Sequence, residues 1–293
     1  MSSRPTLARQ RDGRRSLLIG RVLVMAALIG VVTYFLLPVY WLTIASTKTQ
    51  GDLFTTDALV PSGFHFWDNL VAMSTYDGGI FWRWAGNTVL YSVVGAAFTT
   101  FLSVMTGYAL AIYRFKGRNI LIAVVLASML VPGTILAQPT YVLLVKMGLN
   151  NNYLGVLLPA LVYPFGVLLG MIYARQAVPT ELIEAARLDG AGELRIFLTL
   201  GMRLMSNGLV TIMLFAFLGS WNNYILPLYV LTDQTMMPLT VGLTGWQQAS
   251  ITIPQLQSFT IIGAFISVIP VAIVFVSLQR YWRSGIATGG LKG

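Results

Sequence analysis

Residues 259–278 read Phe-Thr-Ile-Ile-Gly-Ala-Phe-Ile-Ser-Val-Ile-Pro-Val-Ala-Ile-Val-Phe-Val-Ser-Leu, with no charged side chain. A helix of this length reaches about 30 Å, the hydrocarbon thickness of a bilayer. Working back along the chain, uncharged apolar stretches recur at 208–231, 153–174, 120–137, 84–113 and 22–44. Backbone polar groups in hydrocarbon need internal partners, which a helix supplies within one segment. The pattern therefore predicts an all-α, polytopic membrane protein with about six transmembrane helices. The first stretch exceeds the roughly 7–15 apolar residues of a signal peptide, and no small-residue cleavage site follows it. It is expected to be an uncleaved span.

The chain has 293 residues, of which 56% are hydrophobic and 10% charged, against roughly 25% charged in a soluble domain. A net charge of +9 could suit nucleic acid, but that needs Lys and Arg gathered on one face near aromatics. Here they are scattered between apolar runs, so no nucleic acid partner is expected. There is no Cys and a single His, His65. Thiolate nucleophiles and Cys-ligated zinc are therefore excluded, and a Ser-His-Asp triad within the spans has no histidine. His65 is expected to be a surface loop residue. No metal and no catalytic site are expected.

Lys and Arg are retained on the cytoplasmic side during insertion. Arg4, Arg9, Arg11, Arg14, Arg15 and Arg21 precede the first span, and Arg114, Lys116 and Arg118 follow the second. Arg175, Arg187, Arg195 and Arg203 follow the fourth, and Arg280, Arg283 and Lys292 follow the sixth. The other side carries only Lys48, Arg83 and Lys146, with Asp52, Asp57, Asp68, Asp77 and Asp233. Both termini are expected in the cytoplasm. The organisation is a tail over 1–21, a first span with a long external loop over 22–83, a core over 84–279 with a cytoplasmic loop at 175–207, and a tail over 280–293. The external segment 45–83 is long enough to pack over the mouth of the bundle or to meet a partner.

The loop at 175–207 contains Pro179-Thr-Glu181-Leu-Ile-Glu184-Ala185-Ala186-Arg187-Leu188-Asp189-Gly190-Ala191-Gly192-Glu193. Proline and a carboxylate suit a helix start, whereas Asp-Gly suits its end, with glycine in the left-handed region. The spacing predicts a helix from Pro179 to Asp189, a turn at Gly190, and a second short helix with Ile196, Phe197 and Leu200 on one face. The paired alanines give a low profile that can enter a groove on another protein. A helix lying on lipid is usually rich in Lys and Arg. Here Glu181, Glu184, Asp189 and Glu193 balance the four arginines, which favours a protein partner.

Glu-Ala-Ala-x-x-Asp-Gly-Ala at 184–191, followed by Phe197, resembles the loop of the membrane subunits of bacterial ATP-binding-cassette importers. The tail with Gly289, Gly290, Lys292 and Gly293, together with Trp221-Asn222 and Pro238-Leu-Thr-Val-Gly242, is similar to the carbohydrate-uptake branch, as in the second permease subunit of the maltose importer. The resemblance covers roughly 85–293. It implies a type I importer permease fold in a bacterial inner or plasma membrane, with a sugar as substrate. Glu184, Ala185, Ala186, Asp189, Gly190, Ala191 and Phe197 would couple to an ATPase subunit, and the glycine-rich tail would contact it too. The implied partners are a second permease subunit, two ATP-binding subunits, an extracytoplasmic solute-binding protein and membrane lipid. ATP and Mg would be bound by the ATPase subunit, since this chain lacks the Gly-x-x-x-x-Gly-Lys-Ser/Thr loop that cradles phosphates. Relatives commonly have prolines where this chain has Arg203 and Asn207, which predicts a less kinked start to the fifth span.

Trp221, Asn222, Asn223 and Tyr224 lie past the middle of the fifth span. Two readings stand: aromatic faces and amides contacting a sugar, or amides joining helices while the rings fill space. Pro132 and Gln138-Pro139 interrupt the third span, where they either shape the pathway or only kink the helix. Gly166-x-x-x-Gly170 predicts close helix packing. An importer of another solute fits the same features. An ion-coupled carrier would need intramembrane carboxylates or internal repeats, and the spans contain no Asp or Glu. A membrane enzyme would need a cluster of catalytic side chains, and the only carboxylate-rich segment interleaves them with arginines.

Overall fold

The computed structural model describes residues 7–289, whose regular structure is helical. In order the helices are α1 (Leu7–Thr47), α2 (Asp52–Thr55), α3 (Phe66–Thr75), α4 (Ile80–Ile112), α5 (Arg118–Ser128), α6 (Gly133–Lys146), α7 (Tyr153–Ala160) and α8 (Pro164–Ala177). There follow α9 (Thr180–Leu188), α10 (Glu193–Ile196), α11 (Met202–Leu204), α12 (Ser206–Trp221), α13 (Ile225–Val230), α14 (Leu239–Ala249) and α15 (Gln255–Gly289). Among the described residues Gly20–Thr47, Phe66–Ile112 and Gln255–Gln279 are each long and apolar enough to cross a bilayer. Three bent pairs make six when each is counted as one span: α5 with α6, α7 with α8, and Glu193–Leu204 with α12.

The number of spans matches expectation, but their form does not. Instead of one helix over 120–137, α5 and α6 meet at 105°. Pro132 caps α6 with φ −59° and ψ 127°, and a proline disfavours helix in the residue before it. The fourth span bends by 40° where Tyr163 leaves helical geometry ahead of Pro164. The fifth span, expected to run over 208–231, stops at Trp221 and resumes as α13. At the ends, helix propagates beyond the apolar runs: α1 starts at Leu7 and α15 extends to Gly289, because adding a residue to an existing helix is far easier than starting one.

The start of the fifth span, expected to be less kinked where this chain has Arg203 and Asn207, is bent all the same. Without the relatives' prolines the chain still turns by 83° at Met205. Packing makes the bend: Met205 is buried beside Ile196, Phe197 and Ile212, and the π turn Phe197–Gly201 resets the helical register just before it.

The centre of the bundle is α4 against α8 and α12. A Cβ on Gly107 would lie 2.5 Å from the Met171 amide nitrogen, and one on Gly170 3.0 Å from the Ser103 carbonyl oxygen. Backbones that close leave room only for hydrogen. On the other side, the Ser220 hydroxyl donates to the Tyr91 carbonyl oxygen at 3.0 Å.

At the N-terminal end of α4, Trp246 of α14 packs among Phe81, Trp84 and Phe259. The segment expected as external loop, 45–83, is partly helical and folds onto the bundle. Phe66 of α3 meets Phe265 of α15 edge-on at 5.9 Å. Lys48, only 1% exposed, donates from Nζ to the Thr56 hydroxyl at 2.8 Å and to the Asp57 carbonyl oxygen at 2.6 Å. His65 lies within 3.4 Å of Asp68 in this exposed loop.

Candidate functional site: a capped hairpin and a cavity between broken helices

The hairpin begins with α9 after Pro179, as the sequence predicts. It ends in a Schellman cap: the Gly190 amide donates to the Arg187 carbonyl oxygen and the Ala191 amide to that of Ala186, each at 3.0 Å. Gly190 has φ +80°, the left-handed geometry that this cap requires. Ile183 is buried, and Ala186 and Ala191 pack against the same cluster, with Tyr108, Val178 and Met205. Across the turn Arg187 donates from Nε to Glu193 Oε1 at 2.6 Å and from Nη2 to Oε2 at 3.2 Å. The Tyr113 hydroxyl adds a bond to Glu193 Oε2 at 2.7 Å. Arg187, then Tyr113, hold the Glu193 carboxyl below the usual carboxylate range.

The hairpin thus divides the residues expected to couple. Glu184, Ala185, Asp189 and Gly190 face outward. Ala186 and Ala191 face the chain's own core. Phe197 is 3% exposed, with its ring 5.2 Å from that of Tyr108 and 6.2 Å from that of Phe101. Phe197 thus differs from the outward residues of the hairpin: it anchors the hairpin from beneath. The sequence reading missed Leu188, which is 90% exposed beside the cap, and Leu182 and Leu194, also exposed. An apolar residue next to Asp189-Gly190 and off the buried face was the available signal. Of the tail residues, Gly289 ends α15, whereas Gly290, Lys292 and Gly293 lie outside the described residues.

Three of the chain's breaks converge elsewhere. A cavity of about 840 Å³ is lined by Val131 and Thr134 at the α5–α6 corner, Ala160 and Val162 at the α7–α8 bend, and Asn223 and Tyr224 beyond α12. Asn222 also lines it, its Nδ2 donating to the Leu218 carbonyl oxygen at 2.9 Å. The freed Ala160 carbonyl accepts from the Thr99 hydroxyl at 2.9 Å, and that of Asn223 from the Thr240 hydroxyl at 2.7 Å. Among the described residues no Asp, Glu, Lys or Arg lines the cavity. Trp221 is 6% exposed and packs with Ala96, Ala216 and Phe217, as in the space-filling reading. Its ring is 5.4 Å from that of Phe217, so it fills space, whereas the amides beyond it reach the cavity.

At the opposite end of α4 a second polar device holds the segment before α14. Trp84 Nε1 donates to the Gln234 carbonyl oxygen at 2.8 Å. Asn87 Nδ2 donates to those of Thr235 and Met237 at 2.8 and 3.0 Å, and the Tyr91 hydroxyl to that of Met236 at 2.9 Å. Trp84, Asn87 and Tyr91 share one helical face by spacing, a signal legible in the sequence and passed over. From Trp84 to Tyr108, which touches the hairpin's anchor, α4 rises about 36 Å at 1.5 Å per residue. The two devices therefore stand a bilayer thickness apart.

Broken spans around an uncharged cavity, with a capped hairpin a bilayer thickness from a tethered loop, define a polytopic permease. The family described as "Binding-protein-dependent transport system inner membrane component" matches residues 103–287, and this chain belongs to it. It is 38% identical over 228 residues to the arabinooligosaccharides transport system permease protein AraQ of Halalkalibacterium halodurans, covering 77% of this chain and 79% of that one. It is 33% identical to the protein of the same name from Bacillus subtilis, covering 88% and 91%. The crystal structure of a bacterial ABC transporter involved in the import of the acidic polysaccharide alginate contains a chain of the same fold. The TM-score is 0.75 at 24% identity, covering 96% of this chain and 99% of that one.

Proposed function

We propose that this chain is the membrane-spanning permease subunit of an ATP-driven sugar importer in a bacterial inner membrane. It forms half of the translocation pathway, with a second permease subunit supplying the rest. Both termini and the hairpin lie in the cytoplasm, where two ATP-binding subunits hold ATP and Mg. A solute-binding protein delivers substrate to segments 45–83 and 232–258. The names of the AraQ relatives support a sugar.

The observation that carries the coupling role is the division of the hairpin. Ala186, Ala191 and Phe197 tie it to the core of the bundle, while Leu182, Glu184, Ala185, Leu188, Asp189 and Gly190 are exposed. A rigid knob with apolar and acidic groups on its outside suits a cleft on another protein. Movement of that partner is carried through Phe197 and Tyr108 into α4. Asn222, Asn223 and Tyr224 contribute to the pathway, since uncharged amides and hydroxyls match sugar hydroxyls; Trp221 supports them from behind. The glycine-rich tail including Gly289 and Gly290 is a second contact with the ATPase. The test is purification of the chain from native membranes, followed by reconstitution. An ATPase subunit and a second permease should co-purify, and sugar uptake should require ATP and binding protein. Uptake driven by an ion gradient without ATP contradicts the proposal.

A further inference from the structure

We propose that Arg114 and Arg118 hold the headgroup of an anionic phospholipid, in a pocket of about 310 Å³ lined with Phe115, Gly117, Asn119 and Ile120. The pocket lies where α4 hands over to α5, beside the hairpin to which Tyr113 is bonded. It depends on the chain crossing a membrane and not on what it transports.

Three observations carry it. First, the cations there are unbalanced: no Asp or Glu occurs between Asp77 and Glu181, and neither arginine is in an ion pair among the described residues. Second, Arg118 is set in place, its Nε donating to the Leu110 carbonyl oxygen at 2.7 Å, which leaves its two Nη groups for an acceptor. Arg114 and Asn119 line the same pocket and are exposed. A phosphodiester offers paired acceptor oxygens that match a guanidinium fork. Third, the wall continues directly onto α5, whose Ile120 is 70% exposed, with Leu121 and Val124 exposed beyond it. An acyl chain leaving the pocket meets an apolar surface within one helical turn. A soluble anion gains nothing from that surface, and an acidic protein partner would leave it unfilled, so the arrangement favours a lipid.

The test uses the full chain, purified in detergent and stripped of lipid, with native mass spectrometry against phosphatidylglycerol and phosphatidylcholine. Selective retention of phosphatidylglycerol is expected. Arg114→Ala should weaken it about fivefold, the effect of one basic side chain near an anionic surface. Arg118→Lys, which keeps charge but loses the fork, should weaken it less, and Arg203→Ala, exposed elsewhere, should leave it unchanged. If Arg114→Ala disturbs folding, Arg114→Gln in a folded chain gives the same reading. Equal retention of both lipids, equal loss in Arg203→Ala, or full displacement by millimolar inorganic phosphate overturns the proposal. So does protection of Arg114 only when the ATPase subunit is bound, which would make the pocket a protein contact.

Discussion

Arg187 and Glu193 face each other across the Gly190 turn, joined by hydrogen bonds of 2.6 and 3.2 Å. The pair clasps two helices that share few other polar contacts. Its partners hold the Glu193 carboxyl below its usual range. A depressed carboxylate contributes stability that is complete above its unfolded pKa and is lost as pH falls through the folded value. Amide protection over 187–193, taken relative to the intrinsic exchange rate at each pH, should therefore be constant near neutrality and fall below about pH 4, the ordinary glutamate range. Glu193→Gln should show the lowered protection at every pH. Identical protection in both proteins at pH 7 would mean that the clasp does not order the turn.

Topology follows from the charge distribution and is directly testable, since the native chain has no Cys. Asp57 and Gly245 are exposed. Asp57→Cys and Gly245→Cys should react with an impermeant maleimide in intact cells, and Asp189→Cys only after the inner face is opened. The reverse pattern inverts the orientation.

Asn223 and Trp221 should separate by phenotype. Asn223→Ala should leave assembly and basal ATPase activity intact while weakening sugar transport several-fold, with a shifted concentration dependence. Trp221→Ala removes a buried ring packed on Phe217, which costs about 3–5 kcal/mol in a core, so yield and thermal stability should fall first. Normal stability of Trp221→Ala together with an altered concentration dependence would restore the ring to the pathway.

The approach of α4 to α8 predicts a strict limit at Gly107. Gly107→Ala places a methyl 2.5 Å from the Met171 amide nitrogen, and overpacking of this kind costs about 1–3 kcal/mol. Thermal unfolding in detergent should show it, with Gly219→Ala, where nothing lies within 4 Å, as the comparison. Equal midpoints would mean that the two helices separate easily.

Much of this architecture was legible in the sequence because it has local causes. Uncharged runs of about twenty residues mark the spans, and Pro179 and Asp189-Gly190 mark both ends of α9. What was missed or left open has distant causes. The turn at Met205 comes from burial beside Ile196 and Ile212, not from a proline. The direction of the Trp221 ring depends on Ala96 and Phe217, and the tether of Asn87 lies 148 residues away, at Thr235. Helical periodicity placed Phe197 on the right face of its helix but could not say that the face turns inward.

The role proposed for the hairpin is to pass ATP-driven movement into the bundle. Gly190 has open space around it but φ +80°, so a side chain there is limited by backbone strain alone. A β-branched residue reaches that region at a cost of a few kcal/mol, and Asn at much less. The decisive measurement is binding-protein-stimulated ATP hydrolysis and sugar uptake in proteoliposomes, for wild type, Gly190→Asn, Gly190→Val and Glu184→Lys. Gly190→Val and Glu184→Lys should insert and bind the second permease but lose the ATPase subunit, stimulated hydrolysis and uptake together, while Gly190→Asn retains most of all three. Wild-type coupling and complex yield in both Gly190→Val and Glu184→Lys would contradict the account.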